Sequence, residues 1–228
     1  MADDLPLRRV LLAGLLLTLT TLMWAGNAVA GKLAIGEISP MLLTHMRWVL
    51  AVAILVPINW RRLQADAAVI RANWPFLLAM GALGYTGFNM LLYTAPATTT
   101  VINITIIQAG MPMMIFLINL AAFSVAIGRL QVLGYLVTLV GVVLVASQGD
   151  PSRLADLKVQ RGDALMLLAS LLYAGYTVAL KRPLGLQPLS LLTSMSVGAM
   201  IASVPFALFE YASGSLIAPR NGFALADR

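Results

Sequence analysis

Seven stretches of this chain are each long and apolar enough to cross a lipid bilayer: residues 10–30, 41–57, 75–93, 99–120, 126–147, 162–181 and 188–210. That pattern leaves few folds open. A hydrocarbon layer about 30 Å thick takes about 20 helical residues to span. Backbone groups find no water there, so only helices or closed barrels can cross. Barrel strands alternate in polarity over about ten residues, whereas these runs are apolar throughout. The expected fold is an all-α membrane protein, a multi-spanning bundle with seven transmembrane helices. Composition agrees: 60% of the 228 residues are hydrophobic and 11% are charged, against about 45–50% and about 25% in a soluble domain.

The net charge of +6 would suggest a nucleic-acid partner in a soluble protein. In a membrane chain the cations are orientation signals, and no nucleic acid is expected. Arg8, Arg9, Arg61, Arg62, Arg71, Arg129, Lys181 and Arg182 all fall on one side of an alternating seven-span path. The other side holds Lys32, Arg153, Lys158 and Arg161, offset by Glu37, Asp150, Asp156, Asp163 and Glu210. Positive-inside therefore predicts a cytoplasmic N-terminus, and a multi-pass protein of the cell inner membrane is expected. Ala28-Val29-Ala30 after an apolar run imitates a signal-peptidase site. The run of about 20 apolar residues exceeds the 7–15 of a signal peptide, so an uncleaved first span is expected.

The chain also resembles itself. Shifted by 149 residues, Leu22–Ala53 lies over Leu171–Ala202 with 12 identities in 32 ungapped positions. Leu, Ala and Val inflate chance matches among apolar stretches. They do not account for Gly26, Lys32, Gly36 and Thr44 lying over Gly175, Lys181, Gly185 and Thr193. Five spans separate the two starts, so the second copy is inverted. Inverted repeats are characteristic of secondary transporters, whose midplane site lies between pseudo-symmetric halves. The implied organisation is a first five-helix repeat over residues 10–147, an external loop over 148–161, the start of a second repeat over 162–210, and a tail over 211–228. A second repeat of full length would reach about residue 296, so three of an expected ten spans would follow Arg228. The sequence thus carries the expectation of a C-terminally truncated chain.

Polar side chains within the spans are the candidates for chemistry, because each costs free energy in hydrocarbon without a partner or a wet cavity. Arg47 is the one charged residue well inside a span, about 10 Å from its external end at 1.5 Å per residue. It is either an anion-attracting cation facing a cavity or an Arg that snorkels. Trp24 and Asn27 are three apart and share a helix face; their repeat partners Tyr173 and Tyr176 share the equivalent one. Two such faces suit a pocket that stacks a ring and binds a polar end. Tyr85, Asn89, Asn103 and Gln108 complete the candidate substrate-binding set, with interhelical hydrogen bonding as the alternative. His45, the single histidine, lies near a membrane interface and faces Ser194 in the repeat.

Gly81, Gly84 and Gly87 in the third span, and Gly134 and Gly141 in the fifth, read as close-packing positions. Pro112 and Pro205 read as hinges or kinks within spans. The chain has no cysteine, no Gly-Lys-Ser/Thr phosphate loop and no paired histidines, so neither an enzyme, a cofactor nor a metal site is expected. A seven-span receptor matches the count but has no reason to carry an inverted repeat.

Motif order narrows the reading. Trp24-Ala25-Gly26-Asn27 stands in the first span, and Ser39-Pro40 leads to Arg47-Trp48 in the second. Tyr93-Thr94 follows, then Ile102-Asn103-Ile104-Thr105-Ile106-Ile107-Gln108 with Met111-Pro112, then Leu133-Gly134 with Gly141-Val142. In these the chain resembles the drug/metabolite transporter (DMT) superfamily, specifically its EamA-type members, over residues 10–210. The resemblance implies ten spans in two EamA-like halves and gradient-coupled export or exchange of small metabolites such as amino acids. Ile127-Gly128-Arg129 stands where the family usually places a Gly-Glu pair. The expected partners are a small-molecule substrate and the lipid bilayer. The alternative is an inactive fragment, or a half that works only as a homodimer.

Overall fold

The computed structural model describes residues 7–34, 36–125, 128–150, 158–215 and 217. Among these, seven helices are long and apolar enough to cross a membrane: Leu7–Gly31, Pro40–Ala65, Trp74–Ala97, Val101–Phe123, Arg129–Ala146, Arg161–Ala179 and Pro188–Ala212. They are called the first to seventh spans below. The protein is an all-α, multi-span membrane protein. Positions 126 and 127, Arg153, Asp156 and positions 218–228 of the expected tail lie outside the described residues.

The chain divides into two compact units, residues 1–39 with 216–228, and residues 40–215. In the first unit, one helix runs over Leu7–Leu33. Its hydroxyls are satisfied locally: Thr18 donates to the Gly14 carbonyl (2.9 Å) and Thr20 to that of Leu16 (2.8 Å). A turn with Gly36 at φ +84° follows, a left-handed conformation glycine adopts without steric cost.

The second unit holds the other six spans. Its second span runs eight residues beyond the expected end at residue 57, through Pro57 to Ala65. The apolar run ends near Asn59, but the helix does not. Asn59 is 1% exposed; its amide donates to Thr193 Oγ1 (3.2 Å) and accepts from Arg62 (3.1 Å). A buried polar group with partners on both sides does not break a helix.

The second and seventh spans pack along each other, and they run antiparallel. At one end, both carboxylate oxygens of Glu210 accept backbone N–H groups opening the second span, from Met41 (3.0 Å) and Leu42 (2.8 Å). At the other end, Asp66 Oδ2 accepts the backbone N–H of Gln187, the cap residue of the seventh span (3.1 Å). Each helix thus has its unsatisfied N-terminal donors met by an acid near the other helix's C-terminal end. Glu210 is 6% exposed, a buried acid that the sequence reading placed among interface charges.

Residues 81–87 of the third span form a π-helical segment, a wider turn that is rare and often found at functional sites. Packing explains the glycines there. A Cβ on Gly81 would stand 2.3 Å from the Met195 carbonyl oxygen, and one on Gly84 would stand 2.3 Å from the Tyr176 ring. Both are close-packing positions, as expected, but they face different neighbours, the seventh and the sixth spans. Gly134 and Gly141 differ from expectation: a Cβ on either meets no atom within 4 Å among the described residues. Pro112 marks a restart rather than a bend. The fourth span is two helices, Val101–Ala109 and Met111–Phe123, joined at Gly110 with Pro112 in the first turn of the second. Proline has no N–H to lose there. Pro205 stays within the seventh helix.

Candidate functional site

Arg47 sits just past the first two turns of the second span and reaches across to the third. Its Nη1 donates to Asn89 Oδ1 (2.9 Å) and to the Tyr93 hydroxyl, and its guanidinium carbon lies 5.5 Å from the Tyr93 ring centre. Asn89 is 8% exposed and uses its other amide atom on the Tyr85 carbonyl (2.6 Å). Tyr85, Asn89 and Tyr93 are four residues apart in succession, which puts all three on one helix stripe.

An aromatic surface continues from this point. Trp48 stacks on Tyr85 with ring centres 4.7 Å apart and planes 4° from parallel. Tyr85 meets Tyr176 (5.5 Å), Tyr176 meets Tyr173 (5.6 Å), and Tyr173 meets Phe88 (5.1 Å). Those three tilted pairs fall within the spacing that aromatic quadrupoles favour. Tyr176 reaches the third span because Gly84 carries no side chain to block it. Arg47, Trp48, Tyr85, Tyr93, Tyr173 and Tyr176 are all half-buried, so the cluster keeps a reachable face. The indole Nε1–H of Trp48 is buried and makes no hydrogen bond.

Five of the nine candidate residues therefore converge: Arg47, Tyr85, Asn89, Tyr173 and Tyr176. Asn103 lies in a different cluster. Its amide donates to both oxygens of Asp163 (3.0 and 2.8 Å) and to the Lys158 carbonyl (3.1 Å). Gln108 is half-buried in the fourth span. Trp24 and Asn27 belong to the first unit, where they share one helix face; Trp24 is 60% exposed and Asn27 is half-buried. Trp48, Tyr93 and Phe88 join the cluster although the residue-by-residue reading did not single them out. The stripe rule that links Tyr85 to Asn89 extends to Tyr93, and adjacency to Arg47 points to Trp48.

Other polar groups have settled structural roles. Asp163 also accepts from the Thr99 hydroxyl and from the Gln160 backbone N–H (2.8 Å), capping the sixth span and tying it to the start of the fourth. His45 Nδ1 lies 2.9 Å from Ser203 Oγ, whose own proton goes to the Met200 carbonyl (2.8 Å). That network assigns the proton to Nδ1, which donates to the serine. A groove of about 480 Å³ opens elsewhere, between Leu63, Ile70, Arg71 and Trp74 on one side and Thr193 and Gly198 on the other. It is mainly apolar and does not include the Arg47 cluster.

The chain is similar to known transporter proteins. The chain is 31% identical over 173 residues to an uncharacterized transporter of Archaeoglobus fulgidus, covering 72% of this chain and 55% of that protein. It is 25% identical over 151 residues to the uncharacterized transporter YyaM of Bacillus subtilis, covering 66% of this chain and 50% of that one. The chain thus spans about half the length of these curated relatives. No solved structure matches it significantly. Residues 11–147, more than half of the chain, match the EamA-like transporter family, and the protein belongs to that family.

Proposed function

We propose that the protein serves as a secondary transporter that moves small organic solutes, amino acids or drug-like molecules among them, out across the cytoplasmic membrane by alternating access. The N-terminus is cytoplasmic in this reading, and the solute is held at Arg47 and the aromatic surface beside it. One observation carries it: a half-buried guanidinium among tyrosines and a tryptophan, deep in a bundle where such groups cost free energy unless they line a wet path. The antiparallel pairing of the second and seventh spans supports it too, since these spans correspond under the 149-residue repeat, and inverted halves rock against each other around a midplane site. Under the same repeat Trp24 corresponds to Tyr173 and Asn27 to Tyr176.

Vesicles carrying the complete product of the gene, screened with labelled metabolites, test the proposal. Saturable, gradient-dependent flux is expected, with Tyr85→Ala and Arg47→Gln lowering it while membrane insertion is unchanged. Flux indifferent to both substitutions removes the site from the reading. The alternative, a half that works only when completed by further spans or a second copy, is separated by running the 228-residue chain alone. It predicts no saturable flux from the purified monomer.

A further inference from the structure

We infer that the Arg47 cluster selects singly charged anions with a planar apolar body, in preference to zwitterions or cations. The inference rests on the reading of this cluster as a solute site and adds its charge preference, which narrows the solutes named above away from zwitterionic amino acids. Arg47 has neutral partners only, and both are held by one of its nitrogens. No described acid of the second unit forms an ion pair with Arg47. Glu210 is occupied at the start of the second span, Asp163 at the start of the sixth, and Asp66 at the far end of the helix pair.

A guanidinium in a low-dielectric site without a counter-ion attracts anions and repels cations. Its planar fork offers two parallel N–H groups that match a carboxylate. The Trp48 indole N–H, buried and unbonded, is a further donor beside it. The stacked Trp48–Tyr85 pair supplies a flat floor on which an aryl ring can lie. The Arg47 charge repels an ammonium brought beside it, so a free amine on the ligand is a burden.

Three probes of one size and different charge test this: benzoate, benzamide and benzylamine, in radiolabelled form, on the purified full chain in lipid nanodiscs. Benzoate is expected to bind about tenfold or more tighter than benzamide, as a charge-assisted hydrogen bond implies, and benzylamine weakest. Arg47→Gln should bring benzoate down to the level of benzamide and leave benzamide unchanged. Arg47→Lys should keep part of the preference, which guards against a folding defect in the glutamine variant. Equal binding of all three, tighter benzylamine, or a benzoate preference that survives Arg47→Gln would overturn the charge preference while leaving a solute site in place. Failure of benzoate to bind overturns the inference as well. If flux by the complete protein is then also insensitive to Tyr85→Ala, the solute site itself is wrong.

Discussion

Two charged side chains in the second unit are treated in opposite ways. Asp163 is saturated: its two oxygens accept from the Thr99 hydroxyl, the Asn103 amide and the Gln160 backbone. Arg47 spends one nitrogen on an amide and a phenol and forms no ion pair with a described acid of this unit. The saturated charge stitches a loop to two helix starts, where every donor has a fixed partner and movement would unpair several at once. The under-used charge stands among half-buried rings and has capacity left for a ligand. Satisfaction marks structure, and spare capacity marks a site. A glycine lies behind each: a Cβ on Gly162 would stand 2.5 Å from the Ala95 carbonyl oxygen, and one on Gly84 would stand 2.3 Å from the Tyr176 ring.

The sharpest way to break this contrast is at the glycines. Gly162→Ala drives a methyl into backbone that cannot step aside, and a loss of about 2–3 kcal/mol in unfolding free energy is expected, at the upper range for overpacking. Reversible denaturant unfolding in micelles measures it, and a loss below about 1 kcal/mol would show that the loop gives way. Asp163→Ala should follow at about 2 kcal/mol, since it removes a helix cap and charge-assisted hydrogen bonds together. Its effect on benzoate affinity should be negligible, and a tenfold change would show that the Asp163 and Arg47 clusters are coupled.

Gly84→Ala pushes on a side chain that can turn away, so about 1 kcal/mol is expected. Its larger effect should be on the near-ultraviolet circular dichroism of the aromatic cluster and on benzamide affinity, both of which decline as Tyr176 leaves Tyr85. Arg47→Gln should alter stability least, by less than about 1 kcal/mol, because the lost partners are neutral and a glutamine amide can still donate to them. A destabilisation larger than that of Asp163→Ala would make Arg47 a structural lock and reverse the comparison.

Hydropathy along the chain sufficed for the span count, because crossing hydrocarbon is a one-dimensional requirement on length and polarity. It also singled out Arg47, since a lone charge deep in an apolar run is visible without any fold. The order of short motifs, with the 149-residue repeat, was enough to suggest the family that comparison then established. What the sequence did not contain was the rotation of each helix about its own axis. These helices are apolar nearly all round, so no stripe says which side meets a neighbour. Asn89 and Asn103 look alike in sequence, yet one serves Arg47 and the other Asp163. Gly134 and Gly81 also look alike, yet a Cβ on one meets no described atom within 4 Å and on the other a carbonyl oxygen 2.3 Å away. Glu210 read as an interface charge until the seventh span carried it to the first backbone donors of the second. Those outcomes depend on lateral packing among helices distant in sequence, a relation in three dimensions that only the tertiary structure decides.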